Sequence, residues 1–323
     1  MTLSSRALAP EHSLPPMIRL LGKLVGGTTR TQIRRASQAY LFLLPWLIGL
    51  LFFWVGPIIA SFYFSFSEYD VLSSPRWVGL QNYQKAFAGD QLFWPSLWRT
   101  FQYSFAVVPI GLAGSLCLAI LLNRGLPGTN LFRTMFFVPH LVPAVATAMV
   151  WKWLLNPSLG PINLGLETIG LEGPGWLTRK EWALPSIIMM NLWGSFGGNQ
   201  MLIFLAALQG VPQSLTEAAE IDGAGIWARF RHITMPMISP TILFNLILGV
   251  IGALKVFTSA HAATQGGPQY ATWFIALHIY RHAFMYFQMG YGSALAWVFA
   301  VILLILTWVQ MTWSNRWVYY AGE

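Results

Sequence analysis

The amino-acid sequence predicts an all-α integral membrane protein with six transmembrane helices. The first observation is composition, because 55% of the 323 residues are hydrophobic and only 9% are charged, whereas about a quarter of a soluble domain is charged. The second observation is a set of apolar runs that reach the roughly 20 residues needed to cross the hydrocarbon core. These runs lie at about 40–66, 100–122, 134–155, 184–208, 241–260 and 290–313.

The basic tail before the first run predicts the orientation. Residues 1–38 contain six Lys or Arg residues and one acid, Glu11, and such clusters stay on the cytoplasmic side. The other loops carry no such bias, so the prediction of two cytoplasmic termini depends on this tail. We expect the first span to remain uncleaved, because no A-x-A site follows it. The tail is either solvated throughout or contains a short interfacial helix at Met17–Val25.

The third and fourth spans contain residues that disturb a regular helix. Pro139 and Pro143 predict a kink in the third span, which a helix among neighbours tolerates. The fourth span is interrupted by glycines and carries amides, which either serve close helix packing or form a break that lines a pathway. These residues are Asn191, Gly194, Gly197, Gly198, Asn199 and Gln200.

Lys255 is a charged residue inside the fifth predicted span. A charge at that depth is costly, so the side chain either extends to the outer interface or faces a cavity. In the second interpretation it lines a solute path together with Trp193, Asn199, Gln200 and Phe257. Aromatic rings beside amides suit sugars, although the 16 Trp residues are also typical of the aromatic belts at membrane interfaces.

The polar segment 211–240 lies between two apolar spans and predicts two short helices with a corner. Pro212 suits a first turn, and Ser214 with Glu217 has the S-x-x-E spacing of a helix cap. Gly223 can adopt the positive φ that often ends a helix. A second helix with one apolar stripe follows, limited by prolines, and we expect the segment to dock on another molecule unless it is a simple polar loop. The stripe and its limits are Ile226, Phe230, Ile233, Met237, Pro236 and Pro240.

Several kinds of chemistry are not indicated. The sequence has no G-x-x-x-x-G-K-[ST] motif, so it binds no nucleotide by the P-loop route, and we expect no enzyme activity. The Lys and Arg residues cluster before the first span, where they orient the chain in the membrane, so the net positive charge does not indicate binding to nucleic acid. Cys117 is the single cysteine, so no internal disulfide forms. His278 and His282 are four residues apart, but no Cys or carboxylate is near them in sequence, so no metal site is predicted.

The polar segment resembles the EAA loop of binding-protein-dependent ABC importer permeases. The matching residues are Glu217, Ala218, Ala219, Asp222, Gly223, Ala224, Phe230, Ile233, Pro236 and Pro240. Other segments resemble the carbohydrate branch of this family, specifically its maltose-permease F-like subunits. These segments are Leu44-Pro45, Pro57, Gly79 to Tyr83, Thr264 to Pro268 and Tyr280-Arg281. The resemblance as a whole covers about residues 38–317.

The resemblance implies a type I permease fold over residues 39–317 and a bacterial or archaeal inner-membrane location, multi-pass and surrounded by lipid. It implies a heterodimer with a second homologous permease, two ATPase subunits that bind ATP and Mg, and an extracytoplasmic solute-binding protein. The chain itself would bind no cofactor. The ATPase-coupling residues implied are Glu217, Ala218, Ala219, Asp222, Gly223, Ala224, Phe230 and Pro236.

The resemblance also implies import of a sugar or oligosaccharide. An importer of the same type for an amino acid, a peptide or an anion is the alternative. An ion-coupled transporter or a membrane enzyme that works without an ATPase is the third alternative, from another class.

Overall fold

The computed structural model describes residues 30–125 and 127–319, with side chains from residue 38 onward in those ranges. Most of the predicted tail 1–38 and its alternative helix Met17–Val25 lie outside the described residues. The chain divides into two compact units, Met1–Tyr63 and Phe64–Glu323. The first unit contains the elements α1 Arg30–Leu50, a π-helical turn Leu51–Val55 and the start of α2 Gly56–Ser65.

The π-helical turn stands directly before a proline. The N–H of Gly56 donates to the carbonyl oxygen of Leu51, five residues back, and Pro57 follows with no N–H to donate. A wider turn at this point lets the helix continue past the proline. The helical stretch Gln38–Ser65 has 28 residues, and an 18-residue window within it has a mean hydropathy of 2.2, which is enough to cross the hydrocarbon core.

The second unit begins with a short polar segment. Strands β1 and β2 pair antiparallel, and Arg76 forms an ion pair with Glu68. The side-chain amide of Asn82 donates to the carbonyl oxygens of Ser65 at 3.0 Å and Ser67 at 2.9 Å. The elements are β1 Ser67–Glu68, β2 Arg76–Trp77, α3 Gln81–Gln84 and a π-helical turn Lys85–Gly89.

Long apolar helices build the core of the second unit, and α4 packs against α8, α9 and α12. The helices up to the polar segment are α4 Phe93–Leu122, α5 Thr129–Leu141, α6 Ala144–Leu154, α7 Pro161–Thr168, α8 Lys180–Ser195 and α9 Asn199–Gln209. Those that follow are α10 Gln213–Ile221, α11 Ile226–Arg229, a π-helical turn Phe230–Thr234, α12 Met235–Leu254, α13 Thr258–Ala263, α14 Ile275–Tyr280, a π-helical turn Arg281–Met285 and α15 Met289–Ser314. The fully buried side chains of this core include Phe93, Phe204, Phe274, Ile187, Met201 and Leu295.

Two predicted spans are each divided into two helices. Helices α5 and α6 meet at a bend of 94°. Pro143 caps α6 in an extended conformation, while Pro139 stays inside α5. The predicted fourth span is interrupted between Ser195 and Asn199, where the glycines lie. By length and composition, the described residues contain four helices able to cross a membrane, or five if the bent pair is one span.

The polar segment runs into the fifth predicted span without a break. Prolines were expected to limit its second helix, and this expectation is wrong, because helix continues from Ile226 to Leu254. The N–H of Met235 donates to the carbonyl oxygen of Phe230, five residues back. This π-helical register change precedes Pro236, which then lies in the first turn of α12, where a missing N–H is tolerated. The helix ends instead at Leu254, inside the predicted span.

Candidate functional site

A cavity of about 510 Å³ lies where three helix breaks meet in the second unit. The breaks are the bend between α5 and α6, the interruption between α8 and α9, and the turn between α12 and α13. Helix α4 completes the wall with Tyr103, Val107 and Val108. Broken membrane helices release backbone groups that can bind a solute, and paired breaks of this kind are typical of transporter binding sites.

Glycine allows two of these breaks to approach each other. A Cβ on Gly197 would collide with the carbonyl oxygen of Phe136 in α5, and one on Gly198 would lie 2.9 Å from Nδ1 of His140. Any larger residue would force α5 away from the α8–α9 interruption. The prolines of α5–α6 and the glycines of α8–α9 thus form one side of the cavity.

The third break contributes polar side chains to the cavity. Lys255 follows the last residue of α12, and Phe257 precedes α13 with φ −140° and ψ −60°. The amide of Asn191 in α8 donates to Oγ of Ser259 at 3.1 Å and to the carbonyl oxygen of Ile187 at 2.8 Å. The hydrogen bond to Ser259 ties α13 to α8, whereas the one to Ile187 lies within α8.

Four of the five predicted path residues line this cavity, namely Asn199, Gln200, Lys255 and Phe257. Trp193 is not among the lining residues in the described part of the chain. Its ring packs edge-on against Trp151, with centroids 6.2 Å apart. His140 and Ser259 also line the cavity, although neither was predicted from the sequence as a path residue. The position of His140 between Pro139 and Pro143 was the available signal.

The corner of the polar segment forms as predicted at Gly223, which has φ +77°. The N–H of Gly223 donates to the carbonyl oxygen of Glu220 at 3.0 Å, and the N–H of Ala224 donates to that of Ala219 at 2.8 Å. This pair of hydrogen bonds is a Schellman motif, which closes a helix through a left-handed residue. The predicted cap by Ser214 is wrong, because the helix already begins at Gln213 after Pro212 and no side chain caps it.

The tip of the polar segment is exposed and partly apolar. Ile221, Ile226 and Trp227 are 88%, 76% and 80% exposed. Glu220 and Arg229 form an ion pair across the corner. Of the coupling residues implied by the resemblance, Glu217, Ala218, Asp222 and Gly223 are exposed, and Ala219, Ala224, Phe230 and Pro236 are half-buried.

A separate hydrogen-bonded cluster joins the start of α4 to α14 and α15. We call it the Asp90 cluster, and its members are Asp90, Trp273, His278 and Tyr291. Oδ2 of Asp90 accepts from the hydroxyl of Tyr291 at 2.6 Å and lies 2.8 Å from Nε2 of His278. The indole N–H of Trp273 donates to Nδ1 of His278 at 3.0 Å, so the ring proton of neutral His278 lies on Nε2 and donates to Asp90.

The environment of the Asp90 cluster shifts the pKa of its acid and its histidine. Burial raises the pKa of Asp90, but hydrogen bonds from Tyr291 and the N–H of Leu92, with the nearby His278, outweigh burial, so the pKa lies below its usual value. Burial and the neighbouring His282 together lower the pKa of His278 more than Asp90 raises it. The carboxylate and the neutral imidazole are therefore the stable pair at neutral pH.

Asp90, His278 and His282 also have the composition of a metal site, with one ligand atom from each within 4.8 Å of one another. A metal on His278 would need a lone pair on Nε2, and hence a proton on Nδ1. The indole N–H of Trp273 faces Nδ1 and can only donate. The observed hydrogen bonds thus favour a hydrogen-bonded cluster over a metal centre.

Comparison with known proteins decides the family. Residues 108–318 match the family described as binding-protein-dependent transport system inner membrane component. The chain belongs to this family. The permease is 40% identical over 296 residues to the probable ABC transporter permease protein YesP of Bacillus subtilis, which covers 90% of this chain and 95% of the relative.

Two further comparisons agree. The permease is 34% identical over 289 residues to the trehalose/maltose transport system permease protein MalF of Thermococcus litoralis, covering 88% of this chain and 96% of the relative. It matches a chain in the structure of a bacterial alginate ABC transporter in complex with an alginate pentasaccharide-bound periplasmic protein, with a TM-score of 0.78 and 26% identity, over 88% of this chain and 96% of that one. The chain is thus a membrane-integral permease subunit of a binding-protein-dependent ABC importer.

Proposed function

We propose that this permease forms half of the translocation path of an ATP-driven importer for a sugar or oligosaccharide. The observation that carries the proposal is the cavity at the three helix breaks. Its amides and hydroxyls, from Asn191, Asn199, Gln200 and Ser259, can exchange hydrogen bonds with sugar hydroxyls. The ring of Phe257 can pack against the apolar face of a sugar ring. The transport of trehalose and maltose named for one relative supports the same substrate class.

The polar segment 211–240 couples the permease to two ATPase subunits in this proposal. Large apolar side chains exposed at its tip, Ile221, Ile226 and Trp227, are typical of a surface that docks on another protein. ATP and Mg would bind to the ATPase subunits, and a second homologous permease and a solute-binding protein would complete the importer. The coupling residues proposed are Glu217, Ala218, Ala219, Asp222, Gly223, Ala224, Phe230 and Pro236.

The proposed topology has six spans within residues 39–317 and both termini in the cytoplasm. The third span is the bent pair α5 and α6, and the fourth combines α8 and α9. Single cysteines in a Cys117→Ala background test it. A membrane-impermeant maleimide should label Ser74→Cys on intact spheroplasts and Ser214→Cys only after permeabilisation. The opposite pattern would reverse the orientation.

The function is tested by co-expressing the permease with the neighbouring genes for its partners and reconstituting the purified complex in proteoliposomes. Saccharide-loaded binding protein should stimulate ATP hydrolysis and drive uptake of the saccharide. If ATP hydrolysis were stimulated by binding protein loaded with an amino acid or a peptide, but by no saccharide, the substrate would be that solute instead of a sugar. Uptake by the permease alone, driven by an ion gradient and without an ATPase, would overturn the proposal.

A further inference from the structure

The cavity contains a cation that no acid in its wall neutralises. Lys255 is the one Lys or Arg among its described lining residues, and none of them is Asp or Glu. Within the part of the chain that the structure describes, Lys255 belongs to none of the ion pairs. Its ammonium group is therefore available to a negative charge that enters the cavity.

The turn between α12 and α13 holds Lys255 beside this space. The helix ends at Leu254, and the chain enters α13 at Thr258. Ser259 follows in the first turn of α13 and accepts a hydrogen bond from Asn191 in α8. This contact ties the turn to the wall formed by α8 and α9. Lys255 thus lines the cavity together with Gly252 and Phe257.

The side chain of Lys255 is exposed in the structure, so a solute in the cavity can reach its ammonium group. A negative charge close to that group is attracted to it by a Coulomb interaction. Charged residues inside membrane segments often mark ion and substrate pathways. A solute with a negative charge gains this interaction with Lys255, whereas a neutral solute of the same size leaves the cation uncompensated.

The remaining polar groups of the cavity suit hydroxyls. Oε1 of Gln200 is buried and has no hydrogen-bond partner within the described residues, so it can accept from a hydroxyl group. Asn199 and Gln200 form the first turn of α9, whose backbone N–H groups add partial positive charge at this end of the helix. A cation next to neutral hydrogen-bonding groups matches a sugar that carries an acidic group.

We propose that the cavity selects an acidic saccharide and that Lys255 pairs with its negative charge. This inference rests on the proposed function and adds the charge of the substrate to it.

The test uses the complete importer with its binding protein in proteoliposomes that contain ATP. Galacturonate, trigalacturonate and glucose 6-phosphate are compared with galactose, maltose and maltotriose, and both uptake and ATP hydrolysis are measured. Lys255→Gln and Lys255→Arg are compared with Lys152→Gln, which changes a lysine of α6 that does not line the cavity.

At least one acidic saccharide should be taken up by the wild type. Lys255→Gln should lower that uptake by about tenfold or more, because hydrogen bonds to charged groups contribute about 1.5–3 kcal/mol. Lys255→Arg and Lys152→Gln should stay near the wild-type rate. Stimulation of ATP hydrolysis by the loaded binding protein should persist in Lys255→Gln, which separates a path residue from one needed for coupling.

Two results would overturn the inference alone: uptake of only neutral saccharides, or uptake of an acidic saccharide that Lys255→Gln leaves unchanged. ATP-dependent uptake of none of the six saccharides would instead contradict the proposed function, and the inference with it.

Discussion

Nε2 of His278 lies 2.8 Å from Oδ2 of Asp90, although 188 positions separate the two residues in the chain. Tyr291 donates to the same oxygen at 2.6 Å, and Trp273 fixes the imidazole from its other side. Asp90 stands just before α4, His278 lies in α14, and Tyr291 opens α15. The Asp90 cluster therefore joins the start of α4 to α14 and α15, which follow it far along the chain.

The Asp90 cluster predicts that Asp90→Asn destabilises the permease. Oδ2 of Asp90 accepts from Tyr291 and lies beside His278, while Oδ1 accepts from the N–H of Leu92. An amide has one oxygen, so its NH2 group would face one of these donors, and the negative charge would be lost. Hydrogen bonds to a charged group contribute about 1.5–3 kcal/mol, and we expect a loss of that size in the free energy of unfolding. Thermal unfolding in detergent measures it. Asp70→Asn, which changes an exposed carboxylate of a turn, is the control, and equal melting temperatures for the two variants would contradict the prediction.

The same cluster predicts that acidification destabilises the permease. The pKa of His278 lies below its usual value because the ring is buried, so the unfolded chain binds more protons than the folded one as pH falls through about 6.5. The contribution of neutral His278 to the free energy of unfolding is thus complete above that pH and is lost as the pH falls below it. His282, whose pKa burial also lowers, acts in the same direction. The melting temperature should fall from pH 7.5 to pH 5.5, and less steeply in His278→Gln than in the control His232→Gln.

Local chemistry made some of these features predictable and hid others. Gly223 was predictable because the positive φ at a helix end is set by a few neighbouring residues. The Asp90 cluster was not, because no local pattern pairs Asp90 with His278. For the cavity, Asn199 and Lys255 were expected from polarity inside apolar spans. The direction of Trp193 depends on how α8 packs against Trp151, which a single sequence does not reveal.

Gly197→Ala should disturb the cavity by separating two helix breaks. The new Cβ would collide with the carbonyl oxygen of Phe136, and relieving such overpacking costs about 1–3 kcal/mol. We expect a lower melting temperature and slower uptake. Gly165→Ala is the matched control, because no heavy atom lies within 4 Å of its added Cβ and alanine suits a helix better than glycine. If both variants transport equally, Gly197 does not position the break.

Glu217→Lys should weaken association with the ATPase subunits. Glu217 is exposed on α10, about one turn before that helix ends at Ile221, and its proposed role is a polar contact with the ATPase. A lysine at this position would turn the proposed attraction between Glu217 and the ATPase subunit into a repulsion. Less ATPase should co-purify with the variant at equal permease abundance. Glu167→Lys, on the exposed side of α7, tests whether any charge reversal has this effect, and undiminished co-purification of Glu217→Lys would remove this residue from the contact.

Gly223→Val should uncouple ATP hydrolysis from uptake. The residue holds φ +77° in the corner between α10 and α11, a conformation that costs a residue with a Cβ about 1–2 kcal/mol. Valine, branched at Cβ, would push the chain out of this region and change the angle at which the exposed tip meets its partner. Gly225→Val is a close control, because Gly225 has φ −67° and ψ 168°, which valine adopts readily, and its added Cβ meets no heavy atom within 4 Å.

The measurement is the ratio of saccharide imported to ATP hydrolysed in proteoliposomes. A fall in this ratio for Gly223→Val, with normal membrane abundance and an unchanged ratio for Gly225→Val, would show that the corner transmits movement. Equal ratios in both variants would limit Gly223 to a local role in ending α10.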